Sequence, residues 1–232
     1  MKLRGLVAAS ILCVRPLLGQ QDVSGQLGAR LPPPVLAAIA SLADSAVAKG
    51  LPSDPILEKA IEGSTKGVPG DRIVGAARAV LGALETSARA TRAGGVAAPG
   101  ADVVEAGAFA LNAGLQPADV TALVHGSEAS YAPALVLRVA GTLAALGVSA
   151  AQSVRVVERA LDAHASPADL ADLPRQLQLG MARGASPGDA ANGLGHGVPH
   201  GPPPGSPPPS AGHGPPPQLP PGPPHGPGGR GP

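Results

Sequence analysis

The sequence predicts an all-α protein of seven to nine short helices that pack as antiparallel hairpins. Apolar residues recur at helical spacing, for example at Leu135, Val139, Leu143 and Leu146, and no segment shows the alternating pattern of a half-buried strand. Turn signals separate these runs at short intervals, so neighbouring helices should pack antiparallel. The soft repeat of helix and turn is compatible with either a compact bundle or a small α-solenoid.

The predicted helix starts share one style, in which Pro or Ser comes shortly before or after an Asp. Asp54 is expected as the N-cap before a Pro at the first helical position, and Ser149 to Gln152 reads as a capping box. Gly94-Gly95 and Gly147 are expected at helix C-caps. The predicted starts are Asp54-Pro55, Gly67 to Asp71, Gln116-Pro117, Ala132-Pro133, Ser149 to Gln152, Ser166 to Asp169 and Ser186 to Asp189.

The N-terminal residues indicate export. Lys2 and Arg4 precede the uninterrupted apolar run Leu6–Val14, an order typical of a secretory signal peptide and too short for a membrane span. We expect the signal to occupy residues 1–25, with cleavage somewhere in 19–25. The mature protein is therefore expected to be periplasmic or secreted.

Three further parts follow the signal. Residues 26–31 form a short linker, and residues 32–192 form the helical domain, which is long enough for one sizeable core. Residues 193–232 hold 16 Pro and 12 Gly, so this tail has little to bury and is predicted to be disordered. No apolar run after the signal is long enough to cross a bilayer.

Composition excludes several classes of function. Phe109 and Tyr131 are the only aromatic residues, which argues against base-stacking nucleic-acid modules and against an aromatic-lined cofactor pocket. The 17 basic residues are balanced by 16 acidic ones, so there is no basic excess for a polyanion. Cys13 is the only cysteine, and loss of the signal would leave a chain without disulfides.

The densest set of charged residues lies at a predicted helix–turn–helix corner. Lys59 and Glu62 are three residues apart, Glu62 and Lys66 are four apart, and Arg72 follows the turn. Such pairs are common on solvated helix surfaces. The functional alternative is a polar site in which these four residues bind an anionic group with help from the next helix N-terminus.

The same stretch carries a resemblance. Lys59-x-x-Glu62-Gly63-x-x-Lys66-Gly67-Val68-Pro69-x-x-Arg72-Ile73 resembles a corner found in a loosely defined group of uncharacterised, exported, all-helical bacterial proteins. The resemblance covers roughly residues 50–192. It implies a helical fold and export, and it brings no known activity.

The tail contains the histidines His196, His200, His213 and His225. Imidazole is a common ligand for divalent metals, and histidine-containing tracts can bind them. Gly and Pro disfavour a helix that would align the first two, and wide spacing separates the others. The sequence therefore predicts weak divalent metal binding at most, or a tail in which histidine is incidental.

Catalytic signals are weak. Ser127 could form a triad with Asp162 and either His125 or His164, but no Gly-x-Ser-x-Gly motif frames a nucleophile. No His-Glu-x-x-His motif is present for a metal. The sequence therefore predicts no enzyme and no cofactor.

Three hypotheses follow. The leading one is a non-enzymatic interaction or scaffold module of the cell envelope, with an unidentified protein partner and an exposed apolar groove between helices. The second is a ligand- or metal-handling envelope protein that uses the Lys59–Arg72 corner or the tail histidines. The third is an enzyme of unrecognised type, which would need a concave pocket containing ionisable groups with shifted pKa values.

Overall fold

The computed structural model of the protein describes residues 31–127 and 131–194, and within these ranges it contains nine α-helices and no strand. This confirms the predicted all-α class at the upper end of the expected helix number. The helices are α1 (Pro33–Ala48), α2 (Asp54–Thr65), α3 (Gly70–Ala93), α4 (Ala101–Asn112), α5 (Pro117–Gly126), α6 (Pro133–Ala145), α7 (Ala150–Asp162), α8 (Pro167–Ala182) and α9 (Pro187–Leu194).

The helical region extends slightly beyond the expected range of 32–192. Leu31 is buried in the core, and Leu194, the last residue of α9, packs against it. The predicted signal peptide and nearly all of the predicted linker lie outside the described residues. So do residues 195–232, and with them all four tail histidines. None of the helices in the described region is long and apolar enough to cross a membrane.

Seven of the nine helices begin where the sequence predicts. Ser166 caps α8 by accepting a hydrogen bond from the backbone N–H of Asp169, and Ser186 accepts one from Asp189 before α9. Two starts were not predicted, those of α1 and α4, and neither has a Ser, Thr, Asp or Asn at its N-cap. The prediction for α2 was wrong by one residue, because Ser53 is the N-cap and Asp54 is already helical.

The predicted capping box at α7 forms only in part. Ser149 accepts a hydrogen bond from the backbone N–H of Gln152, at 3.3 Å. The amide of Gln152 does not complete the box but donates to the Gly188 carbonyl and to Asn192 Oδ1, each at 2.8 Å. The side chain thus joins α7 to α9, because these distant partners outcompete the local one.

Seven helices end in the same way. The residue after the C-cap has positive φ, and the next residue donates its N–H to a carbonyl five positions back, as in a Schellman motif. The predicted C-cap glycines Gly95 and Gly147 both belong to this set. His164 is the only non-glycine residue with positive φ in the described region, at 51°. The full set is Gly50, Gly67, Gly95, Gly114, Gly147, His164 and Gly184.

Helix packing follows the order of the chain. Among the described helices, the pairs in extensive contact are neighbours, such as α3 and α4, or next-but-one neighbours, such as α4 and α6. This local order is typical of an α-solenoid, in which each unit contacts only units close to it in sequence. Of the two predicted arrangements, the contacts favour the small solenoid.

One next-but-one pair is an exception to this order. Helices α2 and α4 are not in extensive contact, although both pack on α3. All other next-but-one pairs of the described region do pack: α1–α3, α3–α5, α4–α6, α5–α7, α6–α8 and α7–α9.

The apolar residues form two adjoining cores. The first joins α1, α2, α3 and part of α4, around residues such as Ile56 and Ile73. The second runs from the end of α3 through α9, around residues such as Leu137 and Leu170. Helix α4 belongs to both cores, since Val104 faces the first and Ala106 the second.

The series of helix ends predicts the effect of substitutions at two turns. His164→Gly should stabilise the protein by about 0.5–1 kcal/mol, because glycine adopts positive φ without steric cost. Gly114→Ala should destabilise it by a similar amount, because φ is 108° there although nothing lies within 4 Å of the added Cβ. Urea unfolding followed by circular dichroism measures both changes. Changes of the same sign would contradict this account.

Two buried serines predict opposite effects of the same substitution. Ser87 and Ser153 are both fully buried, but Ser87 Oγ donates to the Val104 carbonyl at 2.7 Å, whereas Ser153 Oγ has no hydrogen-bond partner in the described region. Ser153→Ala should therefore raise the free energy of unfolding by about 1 kcal/mol, and Ser87→Ala should lower it by about as much. The same unfolding assay measures both. A loss of stability in Ser153→Ala would show that this hydroxyl is satisfied.

Candidate functional site

An open groove separates α2 from α4, at the one place where a next-but-one helix contact is missing. Its volume is about 760 Å³. Helix α3 provides the floor with Val80 and Leu84, and Arg138 and Thr142 of α6 border it beyond α4. We call this site the α2–α4 groove. The residues of α2 and α4 that line it are Pro55, Glu58, Lys59, Glu62, Glu105, Ala106, Ala108, Phe109 and Asn112.

The groove residues lie on single helical faces. On α2, Pro55, Glu58, Lys59 and Glu62 follow the spacing of one face, and on α4 Glu105, Phe109 and Asn112 do the same. The groove therefore has an apolar floor and charged side chains from both sides. Lys59 and Glu62 were predicted from the sequence, whereas the α4 and α6 contributions were not.

Phe109 is the only phenylalanine of the chain, and 42% of it is exposed. One side of its ring packs on α6 at Gly141, where an added Cβ would lie 2.8 Å from Phe109 Cδ1. The ring is therefore held in place against a glycine while the rest of it faces the groove. An exposed, fixed aromatic ring is a typical anchor for a binding partner.

Glu62 joins the two lysines of the predicted corner. Its carboxylate accepts a hydrogen bond from Lys59 Nζ at 2.8 Å and another from Lys66 Nζ at 2.5 Å. Hydrogen bonding to Lys59, and then to Lys66, lowers the pKa of Glu62 to about 2. All three side chains are substantially exposed. The two ammonium groups are therefore already paired with a carboxylate.

Arg72 does not join this cluster. It is exposed at the start of α3, and no ion pair connects it to another side chain of the described residues. The structure thus brings together three of the four predicted corner residues.

The uncharged residues of the corner motif have packing roles. A Cβ on Gly63 would lie 2.8 Å from Ile73 Cγ1, so the glycine lets the first turn of α3 pack closely on α2. Gly67 provides the positive φ that ends α2, and Val68 donates its N–H to the Gly63 carbonyl. The turn geometry therefore accounts for the spacing of much of the motif without a ligand.

Glu105 has the opposite electrostatic environment to Glu62. Partial burial is the main cause that raises its pKa, and the carboxylates of Asp54, Glu58 and Asp102 add to the effect. Arg138 partly opposes this shift, but no ion pair within 4.0 Å joins it to Glu105. This end of the groove therefore carries a local excess of negative charge.

A second, smaller pocket of about 350 Å³ lies between the end of α1 and the second half of α3. Lys49 and Glu85 form an ion pair across it at 2.5 Å, and Arg89 and Arg92 complete its polar lining. Basic residues in the last turns of a helix also complement its dipole, which gives both arginines a structural reason.

The residues considered for catalysis or metal binding do not form a site in the described region. Ser127 Oγ donates to the Val124 carbonyl at 2.6 Å, and His125 and His164 are both exposed. No group of three His, Cys, Asp or Glu side chains is placed to hold a metal there. The tail histidines lie outside the described residues.

The fold and the α2–α4 groove define a class only: an all-helical protein with an open, charged groove between helices. No protein-family model, curated protein or solved structure matches the chain.

The Glu62 ion pairs predict a pH dependence. The pKa is lowered from 4.5 to about 2 in the folded chain, so the stabilisation is complete above about pH 4.5 and is lost as the pH falls towards 2. Glu62→Gln should therefore lower the free energy of unfolding slightly at pH 7 and not at about pH 2. NMR titration of the Glu62 carboxyl should show a midpoint that rises towards 4.5 in Lys59→Met. A midpoint near 4.5 in the unsubstituted chain would contradict the prediction.

Proposed function

We propose that this chain is a non-enzymatic, exported interaction or scaffold module of the cell envelope, which binds a protein partner in the α2–α4 groove. The observation that carries the proposal is the groove itself, with the exposed ring of Phe109 above an apolar floor and charged residues around it. An aromatic anchor surrounded by polar groups is the usual composition of a protein–protein binding site.

The groove is a better candidate than the Lys59–Arg72 corner for two reasons. Both ammonium groups of the corner are already bonded to Glu62, which leaves less positive charge for an anionic ligand. Arg72, the fourth corner residue, has no ion pair with the others in the described region. Export remains an expectation from residues 1–25 alone.

The proposal predicts that Phe109→Ala abolishes capture of a partner from cell-envelope extract. Full-length protein is used as bait, and the captured proteins are identified by mass spectrometry. The matched control is Leu179→Ala on α8, because Leu179 is also a large apolar residue with a similar exposure, 44% against 42% for Phe109. Its binding should equal that of the unsubstituted chain. Circular dichroism confirms that each variant is folded.

A further bait that ends at Gly197 keeps α9 intact and removes most of the Pro- and Gly-rich tail. Loss of the partner with this bait alone would assign binding to the tail and contradict the groove. Equal capture by the Phe109→Ala bait and the control would do so as well, and no specific capture by any bait would count against the interaction module.

A further inference from the structure

The missing contact between α2 and α4 is a helix-sized gap. Each of the other next-but-one pairs of the described region is packed, so its apolar faces are covered by the chain itself. In the α2–α4 groove, Val80, Leu84 and the Phe109 ring face an open space of about 760 Å³. A helix with side chains is about 10–12 Å across, so this volume is on the order of two helical turns.

The chemistry of the walls favours a helical occupant over an extended one. The walls are the sides of α2, α4 and α6, whose backbone groups are already used within each helix. An extended segment would find no strand edge in the described region and would leave its own N–H and C=O groups without partners. A helix satisfies its backbone internally and needs only an apolar stripe.

The charges of the groove define the sign of the occupant. Three carboxylates line it, from Glu58, Glu62 and Glu105, against the cations of Lys59 and Arg138. Glu62 is paired with Lys59, whereas neither Glu58 nor Glu105 is in an ion pair of the described residues. Asp54 and Asp102 also act on Glu105, but both lie in first turns, where the helix dipole already favours a carboxylate.

We propose that the partner inserts a basic amphipathic helix into the α2–α4 groove, with an apolar residue on Phe109 and a Lys or Arg between Glu58 and Glu105. This inference rests on the proposed function and adds the chemistry of the partner segment. The inserted helix supplies the contact between α2 and α4 that the chain lacks, and its cation neutralises the two glutamates that have no ion pair.

The test uses fluorescein-labelled model helices and fluorescence anisotropy with the full-length protein. One peptide of about 14 residues carries leucines at helical spacing and lysines elsewhere, and a second replaces every lysine by glutamate. The lysine peptide should bind, and the glutamate peptide should bind at least about tenfold more weakly. Affinity for the lysine peptide should fall as salt is raised.

Three variants locate the binding. E58Q/E105Q should weaken the lysine peptide about five- to tenfold, and F109A should weaken both peptides. The matched control E158Q/D162N removes the same charge from α7, outside the groove, and should change affinity less than twofold. R138Q should strengthen binding two- to threefold, a gain that a merely destabilised variant would not give.

Equal affinity of the two peptides, or equal weakening by E58Q/E105Q and its control, would overturn the inference. Failure of both peptides to bind would overturn it as well. The proposed function is judged separately, because it depends on whether Phe109→Ala loses the native partner in the capture experiment. A partner lost in that variant with no preference for the lysine peptide would leave the proposed function standing and remove this inference.

Discussion

The arrangement depends on how closely α4 approaches the helices on both sides of it. An added Cβ on Gly107 would lie 2.2 Å from Ser87 Oγ of α3, and one on Gly141 of α6 would lie 3.0 Å from the Cα of Ala110 in α4. Real side chains do not fit at such distances, so the two glycines set the separations of α3, α4 and α6. Ser87 uses this proximity to donate a hydrogen bond to the Val104 carbonyl.

The position of α4 also explains why there are two cores and one groove. Small residues on α4 face α3 and α6 at short distance, so large side chains can meet only above and below this layer. Helix α2 packs on α3 but does not reach α4, and the space between them stays open. The groove is thus a consequence of tight packing on one side of α4 without an equivalent partner on the other.

Much of this fold could be predicted from the sequence because its signals are local. Seven helix starts were read correctly from Pro, Ser and Asp, and the pattern Ile73, Ala77, Leu81 and Leu84 is buried as expected. The start of α4 was missed because Gly100 provides no side-chain cap. The groove could not be predicted because it depends on a missing contact between two helices. Only the spacing of Glu105, Phe109 and Asn112 on one face of α4 could have suggested it.

The corner motif shows why a dense motif need not mark the binding site. Gly63, Gly67 and Ile73 are explained by the turn from α2 to α3, and Glu62 pairs with both lysines across successive helical turns. What remains unexplained by packing lies on the groove side of the same helix, at Glu58, which faces Glu105 from across the groove. An exposed pair of like charges costs stability in the free protein. Because binding a cation there would remove this cost, the groove has the stronger physical reason to take a partner.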